Sequence, residues 1–171
     1  MKTIYKYFLI ALLFPLIGGC NNEDDIIQIL VGKTWKLSYI ADESEPTKMY
    51  DFWGSNETAR EKSIATLGNT STYTLVFEGS DLNGVVGGSI SGYVTTTNIS
   101  GKWNANKENS QLTTSDIKAN SDGDKYIGTA FITGITNAES YKGSDENNLY
   151  IHYKVGQRSY FLAFTPQKST K

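Results

Sequence analysis

The chain has 171 residues, with 16 basic and 18 acidic side chains, a net charge of −2, one cysteine and one histidine. This is enough for one domain with a sizeable core, but no basic stripe offers the clustered positive footprint that nucleic acid requires. Cys20 and His152 stand alone, which removes any internal disulfide, most zinc sites and most nucleophile–base pairs.

At the N-terminus Lys2 and Lys6 precede an apolar run over residues 7–17, and then come Gly18, Gly19 and Cys20. A basic start, a short apolar segment and small residues at a break describe a secretory signal. The run is about half of the roughly 20 residues that a membrane-spanning helix needs. Ile17-Gly18-Gly19-Cys20 resembles the lipobox of bacterial lipoproteins. That resemblance implies loss of residues 1–19 and a lipid such as palmitate on Cys20. A tether over residues 20–25 would then join a single domain over 26–171. Without Lys2 and Lys6 the balance is 14 basic against 18 acidic side chains, a net charge of −4. The stretch Asn21-Asn22-Glu23-Asp24-Asp25 resembles the surface-export signal of Bacteroidota lipoproteins, and also reads as a plain solvated spacer. The expected location is the outer membrane, lipid-anchored, with cell-surface exposure if the tether acts as an export signal.

Threonine, serine, asparagine, glycine and tyrosine are abundant and proline is scarce, so the domain reads as mainly β. Residues 26–31 form a compact apolar piece, either a helical turn or the lead-in to a strand. Residues 33–40 alternate, with Trp35, Leu37 and Tyr39 on one face of a first strand. Residues 41–70 break the β pattern. Within them, Thr58-Ala59-Arg60-Glu61 matches a capping box, Ile64 and Leu67 follow at helical spacing, and Gly68 suits a left-handed stop. One short helix over 58–67 is therefore expected.

Tyr73, Leu75 and Phe77 define a second strand, and Asn83-Gly84 favours a type I′ hairpin turn. A third strand over 85–93 carries Gly87, Gly88 and Gly92, which permit a bulge or barrel corner. Ile99, Gly101 and Trp103 share one face of a fourth strand. Leu112 and Ile117 have opposite parity in a fifth, over 111–118, which predicts a bulge or a polar edge. A sixth strand is expected over 126–133, an irregular connection over 134–147, and two last strands around Leu149–Tyr153 and over 158–165. Eight short strands joined mostly by tight turns favour an antiparallel meander that closes into a small β-barrel and leaves no free edge.

The stretches Gly32-Lys33-Thr34-Trp35-Lys36-Leu37, Tyr73-Thr74-Leu75-Val76-Phe77, Ser91-Gly92-Tyr93 and Gly101-Lys102-Trp103 resemble the META (heat-shock lipoprotein-like) domains. They are also similar to lipocalin-like proteins of the calycin type, although Gly32 and Trp35 are one residue too far apart for the Gly-x-Trp motif. Both resemblances imply an eight-stranded barrel, and neither implies an enzyme.

Candidate chemistry is sparse. His152 falls opposite Leu149, Ile151 and Tyr153, which suits a structural or solvent-facing imidazole. Asp122-Gly123-Asp124 has the flavour of a calcium loop but lacks its remaining ligands, so a plain turn is the better reading. No catalytic set, metal site or cofactor is expected. Most aromatics sit in strand positions and read as core. Tyr50, Phe52 and Trp53 lie in the long insertion instead, either as a ligand-binding platform or as a plug for one barrel end.

The leading expectation is a lipid-anchored, non-enzymatic envelope protein that meets the membrane through Cys20 and binds a small molecule, a glycan or a partner protein. A second is a structural or assembly lipoprotein with a solid barrel. A third is a glycan hydrolase using a carboxylate pair.

Overall fold

The computed structural model describes residues 26–82, 85–145 and 147–167. The signal segment, Cys20 and its tether, the Asn83-Gly84 turn and Glu146 lie outside the described residues. Eight antiparallel strands close into a barrel in sequence order: β1 (Thr34–Asp42), β2 (Thr74–Leu82), β3 (Val85–Tyr93), β4 (Asn98–Asn106), β5 (Gln111–Ala119), β6 (Ala138–Asp145), β7 (Asn148–Val155) and β8 (Arg158–Pro166). Three helices complete the fold among the described residues. They are α1 (Ile26–Leu30) before β1, α2 (Glu57–Leu67) between β1 and β2, and α3 (Ile127–Thr136) between β5 and β6. The expected meander with a short helix after its first strand is what forms.

The up-and-down order gives the barrel two unlike ends. The connections β2–β3, β4–β5 and β6–β7 share one end with α1. There Val31 bridges Phe77, Ile29 packs against Gly143, and the Leu30 carbonyl accepts the Trp35 indole at 3.0 Å. The longer connections, carrying α2 and α3, share the other end. Between the two ends the lumen is filled. Trp35, Trp103, Tyr73, Phe77, Phe131 and Phe164 are all fully buried. Phe77 meets Trp103 edge-on at 5.5 Å, and Phe131 meets Tyr73 at 5.8 Å and Phe164 at 6.0 Å. Edge-to-face ring pairs of this kind contribute about 1 kcal/mol each beyond the area they bury.

Several local expectations are corrected. The sixth strand is instead α3. Its β-branched residues suggested a strand, but Ile127, Phe131 and Ile135 are spaced four apart and all turn into the core. The irregular connection after it contains β6, whose apolar inward residues are only Ala138 and Tyr141. A β-bulge between Leu37 and Tyr39 turns Tyr39 to the outer wall, and Ile40 takes the inner position. The N-cap of α2 is Asn56, not Thr58. Its Oδ1 accepts the Ala59 amide at 3.1 Å, so the cap lies two residues before Thr58 and the helix begins at Glu57 instead of 58. Leu67 is buried but Ile64 stays exposed, and Gly68 is right-handed, with φ −67°.

The parity change in β5 is resolved as expected, by a register shift opposite Ser100 and Lys102 with Asp116 at φ 54°. The β3 glycines also form a corner. Gly88 pairs with Gly79 of β2, and a Cβ on Gly88 would overlap the Glu78 carbonyl. Only glycine lets the two strands cross this closely beneath Trp103.

Candidate functional site

The richest surface lies at the α3 end, where the insertion after β1 meets the chain entering α3. Asp51 Oδ1 accepts the amides of Trp53 and Gly54 at 3.0 and 3.1 Å, which folds the insertion back on itself. That turn sends Trp53 inward, leaving it only 7% exposed, and its indole donates to Ser63 Oγ of α2 at 3.1 Å. Trp53 therefore acts as a plug. Tyr50 and Phe52 remain half-buried at the rim, 4.8 Å apart edge-to-face. Tyr50 also meets Tyr160 at 5.2 Å, and its hydroxyl accepts Arg158 Nη1 at 2.9 Å.

Beneath these rings two carboxylates tie the loops together. Asp124 accepts Ser63 Oγ and the Tyr126 amide on Oδ1, at 3.0 and 2.9 Å, and the Tyr73 hydroxyl on Oδ2 at 2.6 Å. Burial pushes the Tyr73 phenol up, and the Asp124 carboxylate pushes it further, so the donor keeps its proton at all ordinary pH. Asp122 accepts the amides of Thr95 and Thr96, both at 3.0 Å, together with the Thr95 hydroxyl and the Asp124 amide. Burial raises its pKa, but these donors outweigh burial and hold it below the usual carboxylate range. Both carboxylates are thus committed to bracing the turn. Among the described residues no three His, Cys, Asp or Glu side chains converge as a metal ion would need.

Two recesses flank Tyr126. One, of about 460 Å³, runs between α2 and the β3–β4 turn and is lined by Lys62, Thr66, Thr96 and Lys125. The other, of about 270 Å³, is lined by Tyr50, Phe52, Tyr126, Tyr153 and Tyr160. The second recess is a groove lined by rings, and it shares Lys125 and Tyr126 with the first. The structure brings Tyr50 and Phe52 to this groove and takes Trp53 out of it. Tyr126, Tyr153 and Tyr160 were missed because they belong to three separate segments. Their convergence depends on α3, which the sequence reading took for a strand.

His152 lies elsewhere, on the outer wall of β7. Its Nδ1 is 2.6 Å from Glu43 Oε1, its ring packs 5.7 Å from Phe161, and its Nε2 is buried without a partner among the described residues. Phe161 also packs against Tyr39 and Tyr150, at 5.9 and 5.6 Å, forming an aromatic patch outside the barrel.

Lys36 supports α2 from below. Its Nζ donates to the Leu67 carbonyl at 2.8 Å and sits 5.3 Å from the centre of the Tyr73 ring. Burial lowers its pKa to about 8. Below that pH the folded and unfolded chains are both charged, and the burial penalty is fully felt. Above it the folded chain releases a proton that the unfolded chain still holds, so stability should rise with pH from about 8 toward 10. Urea unfolding at intervals across that window should show the rise, and Lys36→Met should flatten it.

No curated protein matches the chain at a significant level. A crystal structure of a DUF4847 family protein from Bacteroides vulgatus ATCC 8482 superposes with a TM-score of 0.59 at 17% identity, covering 84% of this chain and 99% of that one. This likeness speaks for the barrel fold alone. Neither comparison names a META or lipocalin domain. The family model described as "Domain of unknown function (DUF4847)" matches residues 21–166, nearly the whole of the chain beyond Cys20, and the chain therefore belongs to the DUF4847 family.

Proposed function

We propose that this chain is a lipid-anchored, non-enzymatic protein of the outer cell envelope that binds a glycan or other small molecule at the α3 end of its barrel, outside the lumen. The observation that carries the reading is the contrast between a lumen filled with rings and a groove at that end rimmed by half-buried Tyr50, Phe52 and Tyr126. Aromatic faces stack on sugar rings, and loops held on a rigid barrel commonly carry binding groups. Ile17-Gly18-Gly19-Cys20 supports the anchor.

Tyr126→Leu keeps apolar bulk and removes the ring face. It should weaken binding to a glycan captured from an array at least tenfold, about 1.4 kcal/mol. An unchanged affinity would sink the groove as the site. Cys20→Ser should move the protein from the membrane to the soluble fraction, and incorporation of labelled palmitate into that variant would refute the anchor.

A second reading, an assembly lipoprotein, is favoured by the half-buried rings of Tyr39 and Tyr150, which cover buried Phe161 on the outer wall. On that reading a photo-crosslinker at Tyr150 captures an envelope protein and Tyr126→Leu has no effect.

A further inference from the structure

We infer that the glycan held at the α3 end is an acidic one, its carboxylate or sulfate lying between Lys62 of α2 and Lys125 at the entry to α3. The inference rests on the glycan reading above and adds the charge of the sugar and the side chains that read it. The recess beside Tyr126 that both lysines line has a volume of about 460 Å³, within the roughly 300–1,000 Å³ of small-molecule sites. Its walls are built from short residues. Ala59, Lys62 and Thr66 share one face of α2 at helical spacing, and Thr95 and Thr96 form the wall on the β3–β4 side. Lys62 and Lys125 are the long cationic side chains among them, and both are exposed.

Both ammonium groups are uncommitted. Among the described residues neither makes an ion pair or a side-chain hydrogen bond, whereas Lys48, Arg60, Lys102 and Lys154 each pair with a carboxylate. The acidic residue lining the recess is Asp124, and its oxygens already accept Ser63 Oγ, the Tyr126 amide and the Tyr73 hydroxyl. The backbone on either side of Lys125 is fixed in advance, because the Asp124 and Tyr126 amides each donate to a carboxylate at 2.9 Å. The Tyr126 hydroxyl accepts Asn56 Nδ2 at 3.3 Å and has no acceptor for its own proton among the described residues. Tyr126 and Lys125 line both recesses, so a sugar stacked on the Tyr126 ring meets Lys125 from either side. A neutral sugar leaves the two ammonium groups unused. An acidic one pairs with them, and hydrogen bonds between charged groups are the stronger kind. The chain carries a net charge of −2, so an acidic glycan is drawn by this local pair and not by the protein as a whole.

The test is calorimetric titration of the full chain in nonionic detergent. The probes are trigalacturonic acid and its methyl ester, and a κ-carrageenan tetrasaccharide and its desulfated form. The first pair differs in carboxylate charge and the second in sulfate. An acid form should bind about tenfold tighter than its neutral twin, and Lys62→Gln with Lys125→Gln should remove that advantage, as expected for two solvent-facing ion pairs. The arm that shows the difference names the acid group. The thermal midpoint of the double variant should not move, since neither side chain has a partner within the described fold. Equal affinity for acid and neutral forms in both arms overturns the inference, as does a failure of both acid forms to bind. If those equal affinities are lost in Tyr126→Leu, the groove reading stands and this inference alone falls. If the lysine substitutions weaken binding and Tyr126→Leu does not, the groove reading falls and this inference falls with it. A polyglutamate peptide that binds as tightly as the acid sugars shows recognition of bare charge, and that too overturns the inference.

Discussion

Shortening Phe131 to alanine is expected to destabilise the fold by about 4 kcal/mol, which for a domain of this size lowers the melting temperature by roughly 12 °C. Phe131 is the side chain through which α3 enters the barrel. It is fully buried, edge-on to Tyr73 of the α2–β2 connection and to Phe164 of β8. Neighbouring Gly134 packs closely under Leu162 and Tyr153, so the helix has no room to slide and fill the void. The loss should therefore combine the transfer term with an uncollapsed cavity. Thr129→Ala, on the exposed side of the same helix, should shift the midpoint by less than a quarter as much. Calorimetry on the two variants gives the comparison, and equal small shifts would mean that α3 does not plug the barrel.

Asp124→Ala should cost about 3 kcal/mol, because it strands two buried hydroxyls at once. Ser63 and Tyr73 are both nearly inaccessible, and each donates to this carboxylate. The reverse deletion, Tyr73→Phe, removes one donor and leaves Asp124 with Ser63 and the Tyr126 amide, so about 1 kcal/mol is expected. Denaturant titration of the pair should show that asymmetry. Asp124→Ala should also weaken ligand binding in the groove, since it frees Tyr126 from the turn that aims it. Equal costs for the two substitutions would contradict a hub centred on the carboxylate.

The barrel was legible in the sequence because most strands bury one face, and alternation as in Tyr73, Leu75 and Phe77 records that directly. The legible signal failed where burial was not periodic with two. In α3 the isoleucines and threonines have strand propensity, and the four-residue spacing of Ile127, Phe131 and Ile135 was the signal that outweighed it. In β6 too few apolar residues face inward to reveal a strand. The two errors cancelled in the strand total but not in the site. Trp53 could not be separated from Tyr50 and Phe52 by sequence, since its inward turn is set by Asp51 and its partner Ser63 is ten residues away. The Asp122–Asp124 turn was recognised as a turn, but its acceptors reach Thr95 and Tyr73, contacts that only the closed barrel creates.

The pairing of β1 with β8 has a consequence for how the chain reaches its folded state. Trp35 lies beside Pro166, so the last strand completes the cylinder begun by the first. Until residues near 166 are in place, β1 and β7 each present an unsatisfied row of backbone groups, a template for sticking to other chains. The barrel stays open until its last strand is in place, and then shuts in one late step that buries both edges together.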